Sequence, residues 1–434
     1  MVTSAFVSLW DKRVGAIFWD PNTGVASFEY SSFFKNYGWD ITPVKMPIHS
    51  KNKIFSFPEL HQRVNNPFDT FKGLPGLLAD ALPDKYGNQL INTWLARHGR
   101  EPNSLNPVEQ LCFIGTRGMG ALEFEPATPT SASQSYAIEI DSLVEIARSI
   151  LSKKEKFDTQ VSSKDSKSIV EVLKIGTSAG GARPKAIIAY NPKTGQVKSG
   201  QSFAPAGFEH WLIKLDGVSD EQFGSSNGYG RIEMAYYQMA IDCGIEMMES
   251  QLFQENGRAH FMTKRFDRSS RNIKHHIQTF CAIEHFDFNN VESYSYEQLF
   301  QTMRKLNLSY PEMAQQFKRM VFNVVARNCD DHTKNFAFRM PDFGEWELAP
   351  AYDICHAYRP DSPWVSQHSL SINGKRENIC KSDLELLGEN LGIKKATSII
   401  NEVTETVSKW NTYAEEFNVN ASLRDAINST LIKL

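Results

Sequence analysis

The spacing of apolar positions divides this chain into stretches of different period. Residues 5–10 and 14–19 alternate as short strands do, whereas 74–81 and 86–98 recur at helical spacing. Residues 126–135, Pro-Ala-Thr-Pro-Thr-Ser-Ala-Ser-Gln-Ser, offer a core nothing to bury and read as a linker. Beyond it, Ser142 and Glu145 have capping-box spacing ahead of a helix whose apolar residues Leu143, Ile146, Ala147, Ile150 and Leu151 share one face. The polar segment 154–168 predicts a mobile stretch.

Three β-like runs follow, at 172–175, 186–190 and 208–216, and then Ile232, Ala235, Tyr236, Met239, Ala240 and Cys243 form a helical stripe. Farther on, Met313, Phe317, Met320, Val321, Val324 and Val325 make a second stripe, and Ala396, Ile399, Ile400, Val403, Val407 and Trp410 a third. Both predict helices packed on a core. No internal repeat or heptad run is present. The pattern predicts an α+β protein, with an N-terminal subdomain over 1–125, a β-containing lobe over 136–266 and a mostly helical lobe over 267–434.

Candidate chemistry concentrates in two acidic segments. In Asp330-Asp331-His332-Thr333-Lys334-Asn335, an Asn follows an Asp by five positions (335 − 330), and Tyr352-Asp353 lies eighteen residues farther on (353 − 335). The first spacing is that of a kinase catalytic loop, with a carboxylate to accept a hydroxyl proton and an amide to hold Mg²⁺. Asp353 then supplies the hard oxygen that Mg²⁺ requires. The bland alternative is that Asp and Asn simply terminate the preceding helix.

Upstream, Gly176-Thr177-Ser178-Ala179-Gly180-Gly181-Ala182-Arg183-Pro184-Lys185 sets small residues between two β-like runs, a loop whose N–H groups can approach phosphate oxygens. It is not a Walker A loop, because Ala182-Arg183 stand where Lys and Ser/Thr would and a strand follows instead of a helix. A simple turn is the competing reading. Lys214 ends the next strand where a protein kinase carries its phosphate-pairing lysine, although a solvated strand-end lysine would look the same. Glu233, nineteen residues later (233 − 214), begins the first helical stripe and is a candidate ion-pair partner for Lys214. Asp342-Phe343-Gly344 spells the metal-binding signature of eukaryotic kinases, but it follows Pro341 between two extended runs, 335–339 and 345–348. It reads as a hairpin turn with no catalytic role.

Taken in order, the loop through Lys185, the strand ending in Lys214, Arg265-Phe266-Asp267-Arg268, the segment Asp330 to Asn335, and Leu348-Ala349-Pro350-Ala351-Tyr352-Asp353 resemble the HipA family. These are the serine/threonine-protein kinase toxins of bacterial HipBA toxin–antitoxin pairs. The segment Gly73-Leu74-Pro75-Gly76-Leu77-Leu78-Ala79-Asp80-Ala81-Leu82-Pro83-Asp84 resembles the family's N-terminal subdomain. The likeness implies a bilobal fold related to protein and phosphoinositide kinases, with ATP and Mg²⁺ as cofactors. It implies Asp330 as base and Asn335 and Asp353 as metal ligands. Gly180, Gly181, Ala182, Arg183, Pro184, Lys185, Lys214, Lys264, Arg265, Phe266, His332, Lys334, Asn335, Tyr352 and Asp353 would form the nucleotide site. Ser178 falls on the family's inhibitory autophosphorylation serine. Some members carry Glu where this chain has Lys264.

The remaining features limit partners and place. A net charge of −3 excludes the basic excess of a chain that binds DNA by itself, and the family reaches operator DNA through a separate helix-turn-helix antitoxin, HipB. The resemblance also implies a protein substrate, an aminoacyl-tRNA synthetase in some members. Six scattered cysteines without CxxC spacing fit reduced thiols in a cytoplasm, and neither a leader peptide nor an apolar membrane run is evident. Three other functions compete: a small-molecule or lipid kinase, an inactive pseudokinase acting as corepressor, and a metallohydrolase using Asp330, His332, Asp353 and His356.

Overall fold

The computed structural model describes residues 2–61, 69–97, 99–125, 184–200, 203–220, 224–225, 228–269, 271–341 and 344–434. The linker at 126–135, the helix expected after Ser142, the polar stretch 154–168, the strand at 172–175 and the glycine-rich loop through Arg183 lie outside these residues, as do Asp342 and Phe343.

Two compact units divide the chain. The first comprises residues 1–39, 48–230 and 250–276, and the second 40–47, 231–249 and 277–434. In the first unit, strands Ile54–Ser56, Val25–Tyr30, Lys12–Asp20, Ser4–Leu9 and Leu122–Glu125 form one sheet in that order. Alternation decides its faces: Ala5, Val7 and Leu9 are buried while Ser4 and Phe6 are exposed, as period-two side chains on a one-sided sheet must be. The expected helices appear as Gly76–Ala79 and Lys85–Arg97.

A second five-stranded sheet of the same unit runs Ser250–Glu255, Arg258–Lys264, Glu209–Lys214, Lys185–Tyr190, Val197–Ser199. Its pairings are antiparallel, and Lys214 stands directly opposite both Lys185 and Phe261. Ala186, Ile187, Ile188, Trp211, Ile213 and Met262 make its core.

The sequence Arg265 to Arg268 joins the two sheets within this unit. Asp267, fully buried, accepts bonds from Arg265 (2.8 and 2.5 Å), Arg268 (2.7 Å) and the Gly120 N–H (2.8 Å). Arg268 in turn donates to the carbonyls of Gly120 and Gly118, each at 2.9 Å. Burial would raise the Asp267 carboxyl, but the two guanidiniums and the amide hold it well below the ordinary carboxylate range.

The second unit is mostly helical. Tyr310–Val325 opens with a capping box, Ser309 with Glu312, and a Pro in its first turn, then buries Met313, Phe317, Met320, Val321, Val324 and Val325 on the stripe read from the sequence. Each such side chain contributes roughly 1.5–3 kcal/mol on full burial. The helix ends where Arg327 takes a φ of 56°, which turns the following segment back along the helix end. The third stripe spans Ala396–Ser408 and continues into Trp410–Glu416, with Trp410 opening a separate helix. The first stripe lies on Tyr229–Asp242, so Glu233 stands one turn inside its helix instead of at its start.

Strands Ala337–Met340 and Glu347–Leu348 pair antiparallel, Phe338 with Leu348 and Arg339 with Glu347. The Gly344 N–H closes on the Pro341 carbonyl at 2.8 Å. These pairings bear out the hairpin expected around Asp342. Among the described residues, no helix is long and apolar enough to cross a membrane, and all six cysteines carry free thiols.

Candidate active site

The segment that leaves helix Tyr310–Val325 is held by backbone pairing to the segment that follows Asp353. Cys329 N–H donates to Ala357 O, and Ala357 N–H to Arg327 O, each at 3.0 Å. Ala351 is fixed by its N–H to Glu246 O at 2.8 Å. Two stretches far apart in sequence therefore arrive side by side, and Asn335, Tyr352 and Asp353 line one cavity of about 20 Å³.

Each of these residues is held in place. Thr333–Asn335 forms a 3₁₀ turn. The Asn335 Nδ2 donates to the Asp330 carbonyl at 2.6 Å, which leaves its Oδ1 as the acceptor face of the amide. Tyr352 Oη donates to Lys334 O at 2.6 Å and ties the two acidic segments together. Asp353 sits at φ 52°, in the left-handed region that Asp tolerates better than most residues, a conformation that costs free energy and concentrates at functional sites. The Asp330 side chain is half exposed, its Oδ1 3.8 Å from His332 Nε2. Lys334 Nζ lies 4.8 Å from the Phe288 ring centroid, with the His332 ring 5.3 Å from the same ring.

Sequence reasoning passed over the group that supports this loop. Asp331, fully buried, accepts bonds from Tyr296 Oη (2.7 Å), His368 Nδ1 (2.9 Å) and the Ser369 N–H (2.7 Å). Burial pushes the His368 imidazole down, yet the Asp331 carboxylate outweighs it and raises it to about 10, so the pair is ionic at neutral pH. The doubled Asp was the sole sequence signal for Asp331. Arg319, also missed, lies buried with Nη1 donating to Ala349 O at 2.8 Å, which braces the run before Asp353, and burial lowers it to about 10.

In the first unit, Lys185 and Lys214 are directly opposed neighbours on antiparallel strands and so project from the same face. Lys185 is buried, and Lys214 Nζ lies 5.8 Å from the Phe261 ring centroid. Lys264 pairs with Glu209 at 3.1 Å, its Nζ 5.6 Å from the Trp211 ring centroid. The Arg265 side chain is committed to Asp267, and its N–H donates to the His210 carbonyl at 3.0 Å. Phe266 is partly buried. Glu233 belongs to the second unit. Gly180, Gly181, Ala182, Arg183 and Ser178 lie outside the described residues.

The polar side chains around the cavity are the carboxylates of Asp331 and Asp353, the amides of Asn323, Asn328 and Asn335, and the Arg319 guanidinium; of these, the Asp353 carboxylate and the Asn335 amide oxygen are hard ligands of the kind Mg²⁺ takes. Among the described residues, no group of three or more His, Cys, Asp and Glu could hold a metal ion. That removes the basis for the metallohydrolase alternative at Asp330, His332, Asp353 and His356. His356 instead bonds Thr430 Oγ1 at 2.9 Å, and burial lowers it to about 4.

Two family models match this chain, one described as the HipA N-terminal domain over residues 5–125 and one as the HipA-like C-terminal domain over 177–410. Among solved structures, the toxin–antitoxin complex of HipA, HipB and operator DNA from Shewanella oneidensis MR-1 matches with a TM-score of 0.68 and 17% identity, covering 98% of this chain and 95% of that one. The proinflammatory kinase CtkA of Helicobacter pylori matches at 0.36 and 13%, covering 58% of this chain and 90% of that one, a likeness too slight to bear on the fold. No curated protein matches.

Proposed function

This chain belongs to the HipA family, with the HipA-like mixed α/β fold, and from that premise we propose that it is an ATP- and Mg²⁺-dependent serine/threonine-protein kinase, the toxin of a HipBA-type pair. One observation carries the reading: Asn335 and Asp353, drawn from two separate segments, line a single cavity beside the loop that bears Asp330. Phosphoryl transfer needs that kind of arrangement, since it asks the protein for positioning and charge compensation more than for covalent work.

Asp330 accepts the proton of the acceptor hydroxyl as the oxygen becomes a nucleophile. Its half-exposed carboxylate suits a bulky protein substrate that approaches from solvent. Asn335 Oδ1 and the Asp353 carboxylate are the groups that would hold Mg²⁺, which when bound neutralises charge on the phosphate oxygens. Lys185 and Lys214, side by side, hold ATP phosphates between them. Gly180, Gly181, Ala182 and Arg183 contribute loop amides. Lys264 to Phe266 offer backbone groups to the adenine, since the Lys264 and Arg265 side chains are engaged with Glu209 and Asp267. His332, Lys334 and Tyr352 complete the nucleotide site. The division into 1–125, 136–266 and 267–434 remains our functional partition of the chain.

A phosphate on Ser178 would add about −1.5 to −2 charges in the loop that receives ATP, so self-modification switches the kinase off. A Ser178→Glu variant that binds and hydrolyses ATP as well as the parent would sink this mechanism. The complex from Shewanella supports a HipB-like helix-turn-helix antitoxin as partner, with operator DNA reached through it. The protein acts in the cytoplasm.

Incubation with ATP, Mg²⁺ and a bacterial lysate, followed by phosphopeptide mass spectrometry, tests the proposal. New phosphoserine or phosphothreonine in one or a few proteins, absent with Asp330→Ala, is expected. Labelled small molecules or lipids without labelled protein would contradict it.

A further inference from the structure

The loop after the short helix Phe280–Glu284 carries an aromatic side chain, Phe288, that belongs to none of the kinase motifs. The helix ends at His285, whose φ of 57° turns the chain. Asp287, buried, then ties the next turn: its Oδ1 accepts from the Asn289 N–H at 2.9 Å and its carbonyl from the Asn290 N–H at 3.0 Å. Phe286 stacks on Tyr294, ring centroids 4.4 Å apart, and packs against the core of its unit. Phe288 is left partly exposed on a loop held at both of its neighbours.

The segment Asp330 to Asn335 meets this loop twice. Thr333 is buried, and its Oγ1 donates to the Phe286 carbonyl at 2.9 Å, which anchors the 3₁₀ turn. His332 and Lys334, on either side of Thr333, both reach Phe288: the His332 ring stands 5.3 Å from it at an inclination of 51°, and the Lys334 Nζ lies over its face, 4.8 Å from the centroid. That is inside the ~6 Å over which a ring quadrupole attracts an ammonium. A carboxylate partner would cancel the charge of the lysine, whereas a ring face holds the ammonium and leaves its charge available to an anion. Lysine has much rotamer freedom to lose, so an ammonium already held meets a phosphate at smaller entropic cost.

We infer that Phe288 is a positioning residue of the nucleotide site, its ring holding the Lys334 ammonium where it meets the phosphates of ATP. The inference rests on the kinase reading, which gives Lys334 to the nucleotide. The effect of Phe288 passes through Lys334, and that dependence is what an experiment can isolate.

Equilibrium binding of a fluorescent ATP analogue with Mg²⁺ to the full chain, arranged as a double-mutant cycle, separates this role from plain packing. Phe288→Leu keeps an apolar side chain and removes the ring, whereas Phe288→Tyr keeps the ring face. The expected result is roughly a 3–10-fold loss of affinity for Phe288→Leu, the scale of one cation–π contact, with Phe288→Tyr within about twofold of the parent. Added to Lys334→Met, Phe288→Leu should cost less than about a further twofold. Phe288→Met replaces the Leu variant if that one does not melt cooperatively. Equal or tighter binding by Phe288→Leu than by the parent, equal loss in the Leu and Tyr variants, or a loss that persists undiminished beside Lys334→Met overturns the role of Phe288 alone. A parent chain that binds no analogue overturns the nucleotide site together with it.

Discussion

Replacing Asp331 with Asn tests the electrostatic support of the loop that carries Asp330 without touching the proposed base. The substitution keeps shape but removes the carboxylate that accepts from Tyr296, His368 and Ser369. His368 stands at about 10 in the folded protein against an ordinary 6.5. Its pairing therefore contributes stability that is complete below about pH 6.5 and is lost as pH rises through about 10. Over the interval from pH 7 to 10, a shift of this kind is worth roughly 4 kcal/mol at pH 7 and under about 1 at pH 10. Breaking a buried ion pair costs about 3–5 kcal/mol, the same order. At about 2–4 °C per kcal/mol, Asp331→Asn should melt roughly 8–16 °C below the parent at pH 7, with the gap shrinking by more than half at pH 10. Differential scanning calorimetry at both pH values reads it. A gap of equal size at pH 7 and pH 10, or no gap at all, would refute the ionic account of Asp331 and His368.

Three further outcomes follow from the same geometry. Asp330→Ala, at a half-exposed side chain, should leave stability within about 0.5 kcal/mol while phosphate transfer falls by about 10²–10⁴, read by calorimetry and by radiolabelled ATP. Asp267→Asn leaves the buried Arg265 and Arg268 without their counter-charge and should cost about 3–5 kcal/mol at pH 7 in urea melts. Because the Asp267 carboxyl is held below its ordinary 3.8, the stability it contributes is present above that value, and the gap to the variant should close only as pH falls below it. Lys185→Ala and Lys214→Ala should each weaken binding of a fluorescent ATP analogue roughly 10–100-fold, on a scale of about 1.5–3 kcal/mol per charged contact.

Much of the second unit was legible because local rules governed it. The stripe from Met313 to Val325 is read from helical spacing, and the turn around Asp342 from Pro and Gly between two extended runs. The spacing from Asp330 to Asn335 is a local motif too, and Asn335 lines one cavity with Asp353. What stayed hidden depends on contacts distant in sequence. Asp331 and His368 are separated by 37 positions and lie on no periodic stripe, so nothing links them before the chain folds. The Arg265 to Arg268 run carries part of the family resemblance, but that its two arginines clamp the Gly118 and Gly120 carbonyls could not be read, because backbone carbonyls carry no residue-type signal.

Mg²⁺-dependent ATP turnover by the purified chain, compared with Asn335→Ala and Asp353→Ala, tests the central claim most directly. The parent should consume ATP with a saturable requirement for Mg²⁺, and each variant should need far more metal or lose turnover altogether. A parent that binds no ATP, or variants that turn it over with unaltered metal dependence, would contradict the reading of this cavity as a phosphotransfer site.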